Sequence, residues 1–175
     1  MAQSLSLGLR RRDHAVDVAV VTHETGASDG FEAPLAAGGV RVHRLVVPPR
    51  AFFQEHRMLW RLAQELRPDV VHTHGRRADI LGAWAARRAG IPTVTTVHGS
   101  TRGDWKQRLA DRLQRFTLAR FDAVAAVSYP LAEQLARRGI ASQRLHVIPN
   151  AWQESEVPLA APPRAAPWAW PPAAR

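Results

Sequence analysis

The chain has 175 residues, 46% of them hydrophobic, which suits a globular core and not a disordered segment. It contains no cysteine, so disulfides and thiolate metal sites are excluded, and a reducing compartment fits. Lysine and arginine number 24 against 15 acidic residues, a net charge of +9 that favours anionic partners such as phosphorylated ligands, acidic lipid or nucleic acid. No apolar run approaches the ~20 residues that span a bilayer. The cluster Arg10-Arg11-Arg12 follows a short apolar stretch, the reverse of the order in a secretory signal. A cytoplasmic protein is expected.

Taken in order, the segments alternate. His14 to Thr22 ("HAVDVAVVT") and Val40 to Val47 ("VRVHRLVV") read as strands. Phe52 to Leu66 reads as a helix, with Phe53, Leu59, Leu62, Ala63 and Leu66 near helical spacing. "DVVHTH" is the next strand, ending at His74-Gly75. Arg76 to Ala89 is a helix with Ile80, Leu81, Trp84 and Ala85 on one face, closed by Gly90. "PTVTTVH" is a strand ending at His98-Gly99. The helix from about Asp104 is expected to turn Trp105, Leu109, Leu113 and Phe116 inward and Arg108, Arg112 and Arg115 to another face. "DAVAAVS" is a strand, "YPLAEQLARRG" a helix with Pro130 in its first turn, and "RLHVIP" the last strand. After Asn150 the chain turns to alanine and proline, so residues 151–175 are expected to be disordered.

Apolar strands alternating with helices predict an α/β, Rossmann-like, doubly wound parallel sheet. Ligands of such sheets bind at the carboxyl ends of the strands, and both His-Gly pairs lie there. His72 and His74 are two residues apart, so on a strand they share a face. Three imidazoles could hold zinc with His98, but the one acid nearby, Asp69, is at the strand's other end, so no metal site is expected. No dinucleotide fingerprint, Walker A loop or nucleophile elbow is present. Ser128 precedes a helix and reads as its cap, at an N-terminus that could also hold phosphate.

The motifs "RPDVVHTHG", "AGIPTVTTVHG", "FDAVAAVS" and "RLHVIPN" occur in this order at βα spacing. Over about Leu5 to Asn150 the chain resembles the N-terminal, acceptor-side domain of glycosyltransferase family 4, the retaining GT-B enzymes. The resemblance implies residues 1–150 as one half of a GT-B fold. It implies sugar transfer from a nucleotide-sugar to a sugar or lipid-linked acceptor, with no cofactor and no bound metal. His98 matches the histidine that hydrogen-bonds the transferred sugar, followed by Gly99. His74 and Gly75 match the earlier strand-end motif on the acceptor side. Ser128 matches a serine lining the cleft, and Asn150 the hinge asparagine.

Three departures shape the expectation. "LSLGLRRRDHAVDVAVVT" resembles the end of the family's first helix and its second strand, so the central first strand is expected to be missing. The donor domain has no counterpart here. The hinge reads "IPNAW" where the family has a glycine and then an acid. The chain alone is therefore expected to be inactive, with a separate donor-domain chain as one partner. The alternative is a non-catalytic basic module binding anionic lipid or nucleic acid, supported by Arg108, Arg112 and Arg115. Lipid, at the inner membrane face, is favoured over nucleic acid because no aromatic platform is interleaved with the arginines.

Overall fold

A computed structural model describes residues 1–23, 29–99 and 105–149. Helix α1 (Ala2–Arg10) precedes β1 (Asp17–Thr22), α2 (Asp29–Ala37) and β2 (Arg41–Val46). Then follow α3 (Phe52–Leu66), β3 (Val71–His74), α4 (Arg76–Arg88), β4 (Thr93–Val97), α5 (Trp105–Leu118), β5 (Ala123–Ala126), α6 (Tyr129–Arg137) and β6 (Leu145–Val147). Helix α2 was not foreseen; its "FEAPLAA" carries Pro34 inside and no strong apolar period. Asn150 and the tail 151–175, expected to be disordered, lie outside the described residues.

Every strand pairing is parallel. The described strands form two sheets, β1-β2 and β3-β4-β5-β6. The interruption falls between the second and third strands in sequence. Burial agrees. In β4, "TVTTV", four of five residues are buried, and β5 is buried at Val124, Ala125 and Ala126. In β1, "DVAVVT" reads as a two-sided interior strand, yet none of its residues is buried. Main-chain groups along an unpartnered edge must find water or another strand.

The core gathers Ala83 from α4, Val97 from β4, Leu118 at the end of α5 and Phe121 just after it, Val124 and Ala126 from β5, and Ala132, Leu135 and Ile140 around α6. Glycines end the helices as read: Gly90 and Gly139 have φ of 74° and 92°, the left-handed geometry that a β-carbon resists. Pro130 stands in the first turn of α6.

The inward reading of Leu113 and Phe116 is corrected, and two further apolar residues at helical spacing are exposed. Phe53 is 79% exposed, because the buried stripe of α3 is Glu55, His56 and Ala63. Trp84 is 59% exposed and lays its ring 4.5 Å from that of His56, while the buried apolar residues of α4 are Leu81, Ala83, Ala85 and Ala86. Leu113 and Phe116 are exposed, because α5 turns Gln114 and Leu118 inward at i, i+4 spacing. Arg112 and Arg115 are exposed; the side chains of Trp105, Arg108 and Leu109 lie outside the described residues. Among the described residues no helix is long and apolar enough to cross a membrane.

Candidate functional site

Strand alternation builds the site. β3 and β4 pair in register, with His72 opposite Val94, Thr73 opposite Thr95 and His74 opposite Thr96. Odd positions face α4 and even positions the other side. On the even side, a ring nitrogen of His72 lies 2.8 Å from the Thr96 hydroxyl. The rings of His72 and His74 stack at 4.5 Å, and that of His98 continues the row 6.2 Å from His74. The two His-Gly corners thus share one rim and one face. Gly75 and Gly99 have φ of 91° and 97°, and space is open where a β-carbon would stand on either. These glycines answer a backbone requirement, and the openness leaves room for a ligand to approach.

Electrostatics separates the three imidazoles. His74 is held down to about 4, first by burial, then by the neighbouring charges of His72, His98 and the Met1 ammonium group. It is neutral at physiological pH. Its Nδ1 is shielded from solvent and has no hydrogen-bond partner. An unmet buried polar atom of this kind costs about 1–3 kcal/mol. Burial also lowers His72. His98 is exposed at the rim. Among the described residues no group of three histidine or acidic side chains is placed to hold a metal.

The odd side carries a feature that the sequence reading missed. Asp79, 1% exposed in the first turn of α4, accepts hydrogen bonds at Oδ1 from the hydroxyls of Thr73 and Thr95, both at 2.7 Å. Its Oδ2 accepts from the amide of Gln114, also at 2.7 Å. One carboxylate therefore ties β3, β4, α4 and α5 together directly behind the histidines. Burial raises its pKa, against three donors and the charge of His98 that lower it. The available signal was an acid at i, i+4 and i+7 to Ala83 and Ala86, on the apolar stripe of its helix. Glu55 is a second such acid, 1% exposed and bonded to Arg77 through both Nε and Nη2. Arg77 also lies over the Phe52 ring, 5.1 Å from its centre.

Ser128 caps α6, its hydroxyl accepting from the Leu131 amide at 3.4 Å, so the capping reading holds. It stands just beyond the carboxyl end of β5, one strand from His98 and two from His74. A cavity of about 30 Å³ beside Gly99, among Val97, Leu118, Leu131 and Leu135, has room for water but not for a sugar. The site is an open rim.

The parallel α/β layer carries both His-Gly corners at one rim. Residues 1–151 match the glycosyl transferase 4-like domain, and the chain belongs to that family. A segment of 42 residues is 50% identical to an Escherichia coli UDP-Gal:alpha-D-GlcNAc-diphosphoundecaprenol alpha-1,3-galactosyltransferase, covering 23% of this chain and 11% of that enzyme. The fold is similar to that of Anabaena HepE, solved with UDP and glucose, at a TM-score of 0.65 and 20% identity over 86% of this chain. A UDP-N-acetylglucosamine 2-epimerase is similar at a TM-score of 0.64 and 16% identity over 83%. The chain spans 40% of the HepE structure and 43% of the epimerase.

Proposed function

We propose that this domain is the acceptor-side half of a glycosyltransferase that moves a hexose from a nucleotide-sugar to a lipid-linked sugar acceptor, with retention and without a bound metal. The observation that carries the proposal is the row His72, His74 and His98 on one open rim, with His74 kept neutral. His98 is the residue assigned to the transferred sugar, and His74 with Gly75 to the acceptor. Gly99 and Ser128 are assigned to the lining of the cleft; Asn150, assigned with them, lies outside the described residues. The 42-residue match to an enzyme named for a diphosphoundecaprenol acceptor supports the lipid-linked choice.

In the transfer, the bond from the anomeric carbon to the phosphate oxygen breaks and its electron pair leaves with the diphosphate. The acceptor oxygen bonds to the same carbon on the same face, and its proton passes to the leaving phosphate. The transition state resembles an oxocarbenium ion. A neutral imidazole suits it better than a cation, because it fixes a sugar hydroxyl without adding positive charge beside the reacting carbon.

The reading requires a nucleotide-binding domain to complete the cleft and puts the domain to work at the inner face of the membrane. The test is an assay of the purified chain with a panel of UDP-hexoses and a lipid-diphosphate acceptor, alone and with a nucleotide-binding domain added. No turnover is expected alone and turnover is expected together, lost in His98→Ala. Turnover by the chain alone would remove the need for a partner. Full activity of the mixture with His98→Ala would overturn the site.

A further inference from the structure

The turn from β2 into α3 is apolar, basic and exposed. Val46 is 38% exposed, Phe52 52% and Phe53 79%. Pro48, Pro49 and Arg50 between them are exposed too, and Arg50 holds the turn at φ 65°. Along α3, Phe53, Arg57 and Arg61 repeat at i, i+4 and i+8 and form one solvent-facing stripe. From Arg44 to Gln64 the one acid is Glu55, which is buried and bonded to Arg77. The exposed Glu65 follows Arg61 by four residues and ends the stripe, so the cationic stretch runs from Arg50 to Arg61. Arg77 follows His74 by three residues and lies against Phe52, so the corner stands at the rim that carries the histidines.

We propose that this corner docks on an anionic bilayer, with Val46, Phe52 and Phe53 in the interfacial layer and Arg50, Arg57 and Arg61 among the headgroup phosphates. An amphipathic helix with aromatics on one edge and arginines beside them lies in that layer. The arginine stems remain on apolar surface while the guanidinium groups reach phosphate. The other exposed apolar pair, Leu113 and Phe116 on α5, is a poorer anchor, because the Arg120 guanidinium already covers the Phe116 ring at 3.4 Å. Docking through α3 brings the His74 rim to the height of a lipid diphosphate. The orientation rests on the lipid-acceptor reading; the binding itself does not.

The experiment is flotation of the 175-residue chain with vesicles of phosphatidylcholine alone or with about one third phosphatidylglycerol. Binding is expected to the anionic vesicles and is expected to weaken as salt rises. Phe52→Ser with Phe53→Ser should lower partition about tenfold or more. Arg57→Gln and Arg61→Gln should each lower it about fivefold. Leu113→Ser with Phe116→Ser should leave it unchanged. All these side chains are exposed, and circular dichroism checks that each variant folds. No binding to anionic vesicles, binding indifferent to the two phenylalanines, or binding lost with the α5 pair would overturn the proposal. So would retention of an RNA oligomer, with no vesicle binding, that depends on the arginines alone. Vesicle binding needs no sugar. Intact docking with a silent His98→Ala would therefore sink the transfer reading and leave this one standing.

Discussion

Replacing Asp79 tests whether one buried carboxylate ties the layer behind the histidines. In Asp79→Ala the hydroxyls of Thr73 and Thr95 and the amide of Gln114 lose their acceptor. They do not lose equally. Thr95 keeps the Thr73 carbonyl at 3.3 Å, and half-buried Gln114 reaches water. The Thr73 hydroxyl is left stranded, so the loss should be about 2–3 kcal/mol, a large part of a total of about 5–15. Asp79→Asn keeps an acceptor for both threonines, and Gln114 can turn its amide to accept from the new NH2, so the loss should stay under about 1 kcal/mol. The two variants also differ from wild type in pH dependence. Burial places the folded pKa of Asp79 above its unfolded value. Its contribution is therefore most favourable below the unfolded value of about 3.9, and it declines as pH rises through the folded value. Asp79→Asn escapes that decline and should gain on wild type from pH 4 upward. Urea unfolding followed by tryptophan fluorescence, repeated across pH, measures all three. An alanine variant within about 0.5 kcal/mol of wild type, an asparagine variant as weak as alanine, or a gap that ignores pH would refute the reasoning.

His74 should titrate near 4 in an NMR pH series, so the stability it contributes is present above its ordinary value of 6.5 and is lost as pH falls toward 4; a midpoint above 6 would contradict its burial beside two imidazoles. Gly75→Ala and Gly99→Ala should each cost about 1–2 kcal/mol from positive φ alone, measured by urea unfolding. Gly82→Ala, inside α4 with ordinary contacts, should cost nothing or stabilise. His98→Ala should stay within about 0.5 kcal/mol of wild type, because the ring is exposed, and the loss should appear in sugar transfer instead.

The strands and their order were legible because apolar runs bounded by glycine and proline carry a local signal. Helix Arg76–Arg88 and the cap at Ser128 were legible for the same reason. Side-chain orientation was less so. Phe53, Trp84, Leu113 and Phe116 are large and apolar at helical spacing, yet all four are exposed. Buried in their stead are Glu55, Asp79 and, in part, Gln114. Hydrophobicity ranks a side chain by its cost in water and is blind to partners contributed by other elements. The donors to Asp79 come from β3, β4 and α5, and no window along one helix contains them.

The same alternation explains why the corners coincide. With β3 and β4 in register, Thr73 and Thr95 must face one side, and His74 and Thr96 the other. The threonines are fastened to Asp79, which fixes the height of both strand ends against α4. His74, one residue beyond Thr73, and His98, three beyond Thr95, then emerge on the opposite face, His98 two residues further along. The glycine after each turns the chain away through φ above 90°. A slip of one residue in the pairing would exchange the two faces, placing threonines at the rim and imidazoles against the helix. The buried carboxylate therefore holds the register on which the whole row of rings depends.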